Sequence, residues 1–162
     1  MARVTPEEEL PADLLALRRF ALLMDEAVAI PGTRRRVGLD AALGLVPGIG
    51  DLVAGLLSAW IVIGGLRHRV PLRILFRMLF NIIADMVIGA VPLLGDLFDF
   101  LFEENMINLR LLMQHRDRSR PPRTLAQIGG AAILVILIIL AAALAVTAAL
   151  VAVVIWIIGH RG

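Results

Sequence analysis

From Leu125 to Ile158 the chain runs for 34 residues without a charged residue or a proline. At ~1.5 Å per residue that is a helix of ~51 Å, whereas about 20 residues cross a ~30 Å hydrocarbon core. The run predicts one C-terminal transmembrane helix, 125–158, long enough to tilt. Trp156 and the Gly159-His160-Arg161 end suit the far interface. Ala141, Ala145 and Ala149 place small residues at every fourth position, a surface of the kind a homo-oligomer uses for close helix contact.

The rest of the chain is also too apolar for ordinary soluble composition: 59% of residues are hydrophobic and the mean hydropathy is +0.87. All 16 strongly basic residues are arginine, and most fall in clusters, so their positions carry topological information. With no cysteine there is no disulfide, thiolate metal site or Cys nucleophile, and His68, His115 and His160 are far apart in sequence. No metal or cofactor is expected. Glu7, Glu8 and Glu9 precede any apolar run, the wrong order for a cleaved signal peptide, so the mature chain is expected to begin near Met1.

Residues 12–28 (ADLLALRRFALLMDEAV) bring Leu14, Leu17, Phe20, Ala21, Met24 and Val28 together at helical spacing, with Arg18, Arg19, Asp25 and Glu26 elsewhere. This predicts an amphipathic helix that lies in the interface or covers the rest of the domain. The first unit is thus residues 1–33, the helix and its linker.

Residues 34–115 contain one pattern written twice. Asp40 to Leu52 (DAALGLVPGIGDL) and Asp85 to Leu97 (DMVIGAVPLLGDL) match at a constant offset of 45 in Asp40/Asp85, Gly44/Gly89, Pro47/Pro92, Gly50/Gly95 and Asp51/Asp96. Each copy places a Pro-x-x-Gly-Asp break between two apolar arms, which predicts two pseudo-repeated helical hairpins. The turns use Pro47, Gly48 and Gly50 in the first copy and Pro92 and Gly95 in the second. The arms of the first hairpin are too short for both to cross a bilayer, so a re-entrant hairpin is expected. Arg34, Arg35 and Arg36 precede it and Arg67-His68-Arg69 follow it, which predicts both ends on the cytoplasmic side.

In the second hairpin, Arg73, Arg77, Asn81 and Asp85 are spaced by four and form a polar stripe. Asp96, Asp99 and Glu103 form an acidic stripe on the next arm. An antiparallel hairpin would bring Arg77 near Asp99 or Glu103, since charges close to lipid need partners. Residues 116–124 then form a polar linker with Arg116, Arg118, Arg120, Arg123 and Pro121-Pro122, which belongs outside the bilayer.

The Ile30–Asp51 stretch (IPGTRRRVGLDAALGLVPGIGD), the Leu94–Phe100 block (LGDLFDF) and N-x-x-N-L-x-L-L from Asn105 to Leu112 together resemble a bacterial family of unknown function, DUF4112. The resemblance covers roughly 25–115. It implies a membrane-associated domain and supplies no catalytic residue, substrate or cofactor.

Asp51 and Asp96 directly follow a glycine and open an apolar run, the place of an N-cap carboxylate. Asp40 and Asp85 lie inside the arm before the turn, where local hydrogen bonding and ion or proton handling are both open. Pro-Gly-Ile-Gly-Asp lacks a P-loop lysine and no hydroxyl sits in a nucleophile motif, so no enzyme is expected. The arginines lack interleaved aromatics, which argues for anionic lipid headgroups over nucleic acid. Arg34, Arg35, Arg36, Arg116, Arg118, Arg120 and Arg123 are the headgroup candidates. The sequence therefore predicts an all-α protein of the bacterial inner membrane with its C-terminus outside, acting as a scaffold or accessory subunit. The alternative is a small oligomeric channel or transporter for protons, cations or lipid headgroups built on Asp40 and Asp85.

Overall fold

The computed structural model describes residues 10–29, 32, 36–44, 49–91 and 103–160. It is mostly helical: α1 (Ala12–Glu26), α2 (Leu39–Gly44), α3 (Ile49–Arg67), α4 (Leu72–Gly89), α5 (Glu104–His115) and α6 (Leu125–Gly159). Among the described residues the exception to helix is a two-residue antiparallel ladder in which β1 (Val28–Ala29) pairs with β2 (Arg36–Val37), Val28 opposite Val37 and Ala29 opposite Arg36.

Helix α3 is apolar on every side, and a helix of that kind is stable only when surrounded. It packs against α1, α2, α4, α5 and α6. Small residues let its neighbours approach. A methyl group at Gly55 would lie 2.8 Å from the Met86 sulfur of α4 and 3.5 Å from Ile139 of α6, and one at Gly64 would lie 2.5 Å from Leu17 of α1 and 3.2 Å from Leu112 of α5. The apolar stripe of α1 (Leu14, Leu17, Ala21, Met24) is fully buried in this core, so α1 is a core helix. Of the two placements expected for it, α1 takes the one that covers the rest of the domain.

The first half of α6 packs on α3 and α4 through Ile128, Val135, Ile139 and Ala143. It starts from a capping box in which Gln127 N donates to Thr124 Oγ1 and Thr124 N donates to Gln127 Oε1. Beyond Ala143 no residue of α6 is buried. This helix has the length and composition to cross a membrane.

Both copies of the repeated motif end a helix at the matched glycine, α2 at Gly44 and α4 at Gly89. The turns themselves, including Pro47, Gly48, Pro92 and Gly95, lie outside the described residues. The arms are unequal, because the ladder takes up Arg36 and Val37 and leaves α2 only 6 residues against 18 for α4. Helix α2 is therefore too short to run back along the 19 residues of α3. As a result Arg36, whose Nε donates to Glu26 O at 2.8 Å, sits at the C-terminal end of α1, whereas Arg67 and His68 meet Asp13 at the other end. Arg36 and the 67–69 cluster lie at opposite ends of the molecule, which corrects the expectation that both flank one face. Arg34 and Arg35 lie outside the described residues.

A side-chain methyl at Gly38 would overlap the backbone carbonyl of Met24. Backbone cannot give way as a flexible side chain does, so Gly38→Ala is expected to lower stability by at least about 1–3 kcal/mol in thermal unfolding of the detergent-solubilised protein. Gly130→Ala, where nothing lies within 4 Å, should leave the midpoint equal or raised.

Candidate functional site

Two constellations of polar residues dominate the structure, one inside the helical body and one at its end. The interior one is centred on α5, which brings Asn105 and Asn108 onto its buried face. Ser58 Oγ of α3 donates to Asn105 Oδ1 at 2.7 Å, and Asn105 Nδ2 donates to Asp25 Oδ1 of α1 at 2.8 Å. Asp25 Oδ2 also accepts from Met106 N at 2.7 Å. Glu103, which precedes α5, offers no side-chain cap. A carboxylate from α1 therefore caps a free N-terminal amide of α5 from across the fold, where the helix dipole favours negative charge. Burial pushes the Asp25 carboxyl up to about 6; the Met106 and Asn105 hydrogen bonds pull the other way, and the Glu103 and Glu26 charges raise it further.

The second branch joins α4 to α5. Asn81 Nδ2 donates to Asn108 Oδ1 at 2.8 Å, and Asn108 Nδ2 donates to Glu104 Oε2 at 2.9 Å and to Met78 O at 3.1 Å. These groups are almost wholly shielded, Glu104 at 2% exposure and Asn105 and Asn108 at 0%. At that burial an unmade hydrogen bond costs about 1–3 kcal/mol, so the branches fix the register of α5 against three helices.

At the other end of the body, the C-termini of α3 and α5 meet the N-termini of α1, α4 and α6. The linker after α5 is strapped to the α3–α4 turn: Asp117 N donates to His68 O at 3.0 Å, Arg123 N to Arg67 O at 2.8 Å, and Arg69 Nε to Pro121 O at 3.4 Å. Arg69 holds φ +58°, the left-handed region that a non-glycine residue occupies only at a cost. Asp13 of α1 accepts from buried His68 Nε2 at 2.9 Å and lies 3.6 Å from Arg67. Burial raises the Asp13 carboxyl, but the His68 hydrogen bond and the His68 and Arg67 charges outweigh it and hold the group below its usual range. The Ser119 hydrogen bonds lower Asp117, which also pairs with Arg120 at 3.7 Å.

Asp13 and Asp117 face Arg67, Arg69, Arg116, Arg118, Arg120 and Arg123 at this pole. The Nε atoms of Arg67 and Arg116 are buried without an acceptor among the described residues, and desolvation together with the Arg118 charge lowers the Arg116 pKa. The arrangement is an excess of guanidinium groups with free donors, suited to oxyanions such as phosphate. Among the described residues no three His, Asp or Glu side chains converge as metal ligands.

The expected facing of Arg77 and Glu103 does not occur. Arg73 and Arg77 are exposed on the outer side of α4, and Glu103 lies 4.0 Å from Arg110 of its own segment. The Asn81–Asn108 bond sets the register, and one turn from it Arg77 falls level with fully buried Leu112 rather than with Glu103. Glu103 itself is non-helical (φ −78°, ψ 71°), so no single helix runs from Asp96 through Arg110. Asp96, Asp99 and Gly95 lie outside the described residues, as do the side chains of Asp40 and Asp51. Asp51 is nevertheless inside the first turn of α3, because that helix opens at Ile49; it is not the N-cap. Asp85 is half-buried on α4 and has an interaction partner.

Asp13, Asp25, Ser58, His68, Glu104, Asn105 and Asn108 were not singled out as sites by sequence reasoning. Their signal is faint: Asp25 and Ser58 are single polar residues on apolar helical faces, Glu104, Asn105 and Asn108 share the buried side of one short helix, and His68 lies in the turn after α3.

The family described as a domain of unknown function, DUF4112, matches residues 13–116. The chain belongs to that family. No curated protein and no solved structure matches it. The matched segment begins at Asp13 and ends at Arg116, both at the basic pole, and so takes in α1 from Asp13 onward, which the 25–115 of the sequence resemblance left out apart from its last two residues. Helix α6 lies outside the DUF4112 segment although half of it packs on that segment's helices.

Asn81→Ala and Asn108→Ala are expected to be non-additive by about 0.5–3 kcal/mol in a double-mutant cycle, whereas Arg77→Ala and Glu103→Ala should add. Chemical unfolding in detergent measures both. The pH dependence tests Asp25. Its folded pKa of about 6 exceeds the ordinary value of 3.8, so the folded state takes up the proton first as pH falls. Stability of the wild type relative to Asp25→Asn should therefore rise on acidification from above pH 6 toward pH 4, by on the order of 2–3 kcal/mol. A flat difference across that window would show that Asp25 is not held as a buried carboxylate.

Proposed function

We propose that this DUF4112 chain is a non-enzymatic scaffold or accessory protein of the bacterial inner membrane, anchored by α6 and set on the cytoplasmic leaflet through its basic pole. The observation that carries this reading is the gathering of Arg67, Arg69, Arg116, Arg118, Arg120 and Arg123 around the start of the long apolar helix. Arginine in short segments beside a span is retained on the cytoplasmic side, and the same charges attract anionic headgroups. The C-terminus of α6 then lies outside. The two motif copies are read as pseudo-repeated hairpins. In the second, α4 leaves the pole and α5 returns to it.

The polar interior supports a structural rather than a chemical role. Asp25, Asn105 and Asn108 are committed to joining helices, as are Ser58 and Asn81. A body held together in this way, with arginines and apolar surface turned outward, offers binding surfaces.

Single cysteines at Ser119 and His160 test the topology. In intact spheroplasts a membrane-impermeant maleimide should label the His160 position, and the Ser119 position only after permeabilisation. Labelling of both from one side would overturn the assignment. The reconstituted wild type should carry no proton or cation flux; flux lost in Asp40→Asn and Asp85→Asn would replace the scaffold reading with transport.

A further inference from the structure

Helix α4 turns an apolar stripe outward along its whole length. Leu72, Phe76, Phe80 and Val87 fall within a sector of ~80° at 100° per residue, and Phe76 and Phe80 are 67% and 68% exposed. Surface of this size and aromatic content on a helix is more than a water-facing flank ordinarily carries. What lies on either side of the stripe indicates what covers it. One border is Leu79 and Met86, which pack inward, Met86 sharing the Gly55 notch with Ile139 of α6. The other border is Arg73 and Arg77, beyond which Met78 and Asn81 meet α5. The stripe therefore adjoins α6, and the arginines separate it from the polar side of the body.

The depth of the stripe follows from the same notch. Met86 and Ile139 each lie 14 residues from the first residue of their helices, Leu72 and Leu125, and both helices start at the basic pole. Helices α4 and α6 thus run alongside each other in step. The outward side chains of the first half of α6 (Ile133, Leu134, Leu137, Leu140), all exposed, are level with those of α4. The free half of α6, from Leu144 to Gly159, is 16 residues or ~24 Å, too short by itself for a ~30 Å core. The end near the free half carries Asp25, Glu26, Glu103 and Glu104, whereas the arginines that suit anionic headgroups are at the start of α4 and α6.

We infer that the α4 flank formed by Leu72, Phe76, Phe80 and Val87 contacts lipid acyl chains, so that the helical body is partly immersed beside α6 rather than carried above the bilayer on a stalk. The inference rests on the reading of α6 as a membrane anchor. Arg73 and Arg77, in the first two turns of α4, reach back along the helix to the headgroups at the pole.

Depth-dependent quenching tests it on the full chain, reconstituted in phosphatidylcholine–phosphatidylglycerol vesicles with or without brominated acyl chains. Trp60→Phe/Trp156→Phe is the silent background, into which Phe80→Trp, Leu72→Trp or, on the polar side, Arg110→Trp is placed. A fourth protein, Trp60→Phe alone, reports from Trp156. Circular dichroism and gel filtration select the variants that keep the wild-type fold. Phe80→Trp should be quenched as strongly as Trp156 and several-fold more than Arg110→Trp, with Leu72→Trp as the substitute if Phe80→Trp misfolds. Strong quenching of Trp156 without quenching at positions 80 and 72 would overturn the inference and leave the anchor standing. Concentration-dependent cross-linking between unquenched copies through position 80 would assign the stripe to a second copy instead. Absence of quenching at every position, Trp156 included, would remove the anchor reading as well.

Discussion

Helix α5 is held at its N-terminus by a carboxylate from another part of the chain, and the rest of the body depends on that contact. Twelve residues make a marginal helix in isolation, and the residue before this one gives no side-chain cap. Asp25 supplies the missing acceptor to Met106 N and at the same time holds Asn105, which in turn holds Ser58 of α3. Three residues after Asn105, Asn108 joins the same helix to Asn81 of α4. Amides spaced so that both fall on one helical face thus satisfy polar groups from α1, α3 and α4 in an otherwise apolar interior, where unsatisfied groups are costly. Apolar packing would tolerate small sliding of the helices. The hydrogen-bonded amides do not, because each has one geometry in which all partners are met.

The separation of charge along the body follows from how the helices alternate in direction. Helices α1, α4 and α6 leave the basic pole, and α3 and α5 return to it. The short connections 67–71 and 116–124, where arginine is concentrated, therefore meet at one end. They are fastened to one another by backbone hydrogen bonds rather than merely adjacent, and Asp13 is held between Arg67 and His68. Too few carboxylates stand at that end to balance the guanidinium groups. The carboxylates of Asp25, Glu26, Glu103 and Glu104 lie at the other. This polarity, parallel to a helix of about 52 Å with an unpacked apolar half, is what the proposed membrane placement rests on.

The sequence was legible where one local property settled the outcome. An uncharged 34-residue run can be little other than a long apolar helix, and 125–159 is one. The apolar spacing of 12–28 gave α1, and the apolar arm before the second break gave α4. Reading failed where the answer depended on relative register. Arg73, Arg77, Asn81 and Asp85 share a spacing of four, but successive steps of four drift around the helix by ~40° each. Asn81 consequently points into the body while Arg73 and Arg77 remain outside.

Helix positions, the long apolar helix among them, were thus determined by the sequence alone, because hydrophobic periodicity and the absence of charge act over one or two turns of chain. Only the tertiary structure decided that Asp25 caps α5 from 81 positions away, and that the clusters at 67–69 and 116–123 form one pole while Arg36 lies at the opposite end. Those outcomes rest on hydrogen bonds between groups that no local rule pairs. A buried carboxylate or amide takes whatever donor the packing of apolar surfaces brings within reach, and that packing is fixed only when all the helices are in place.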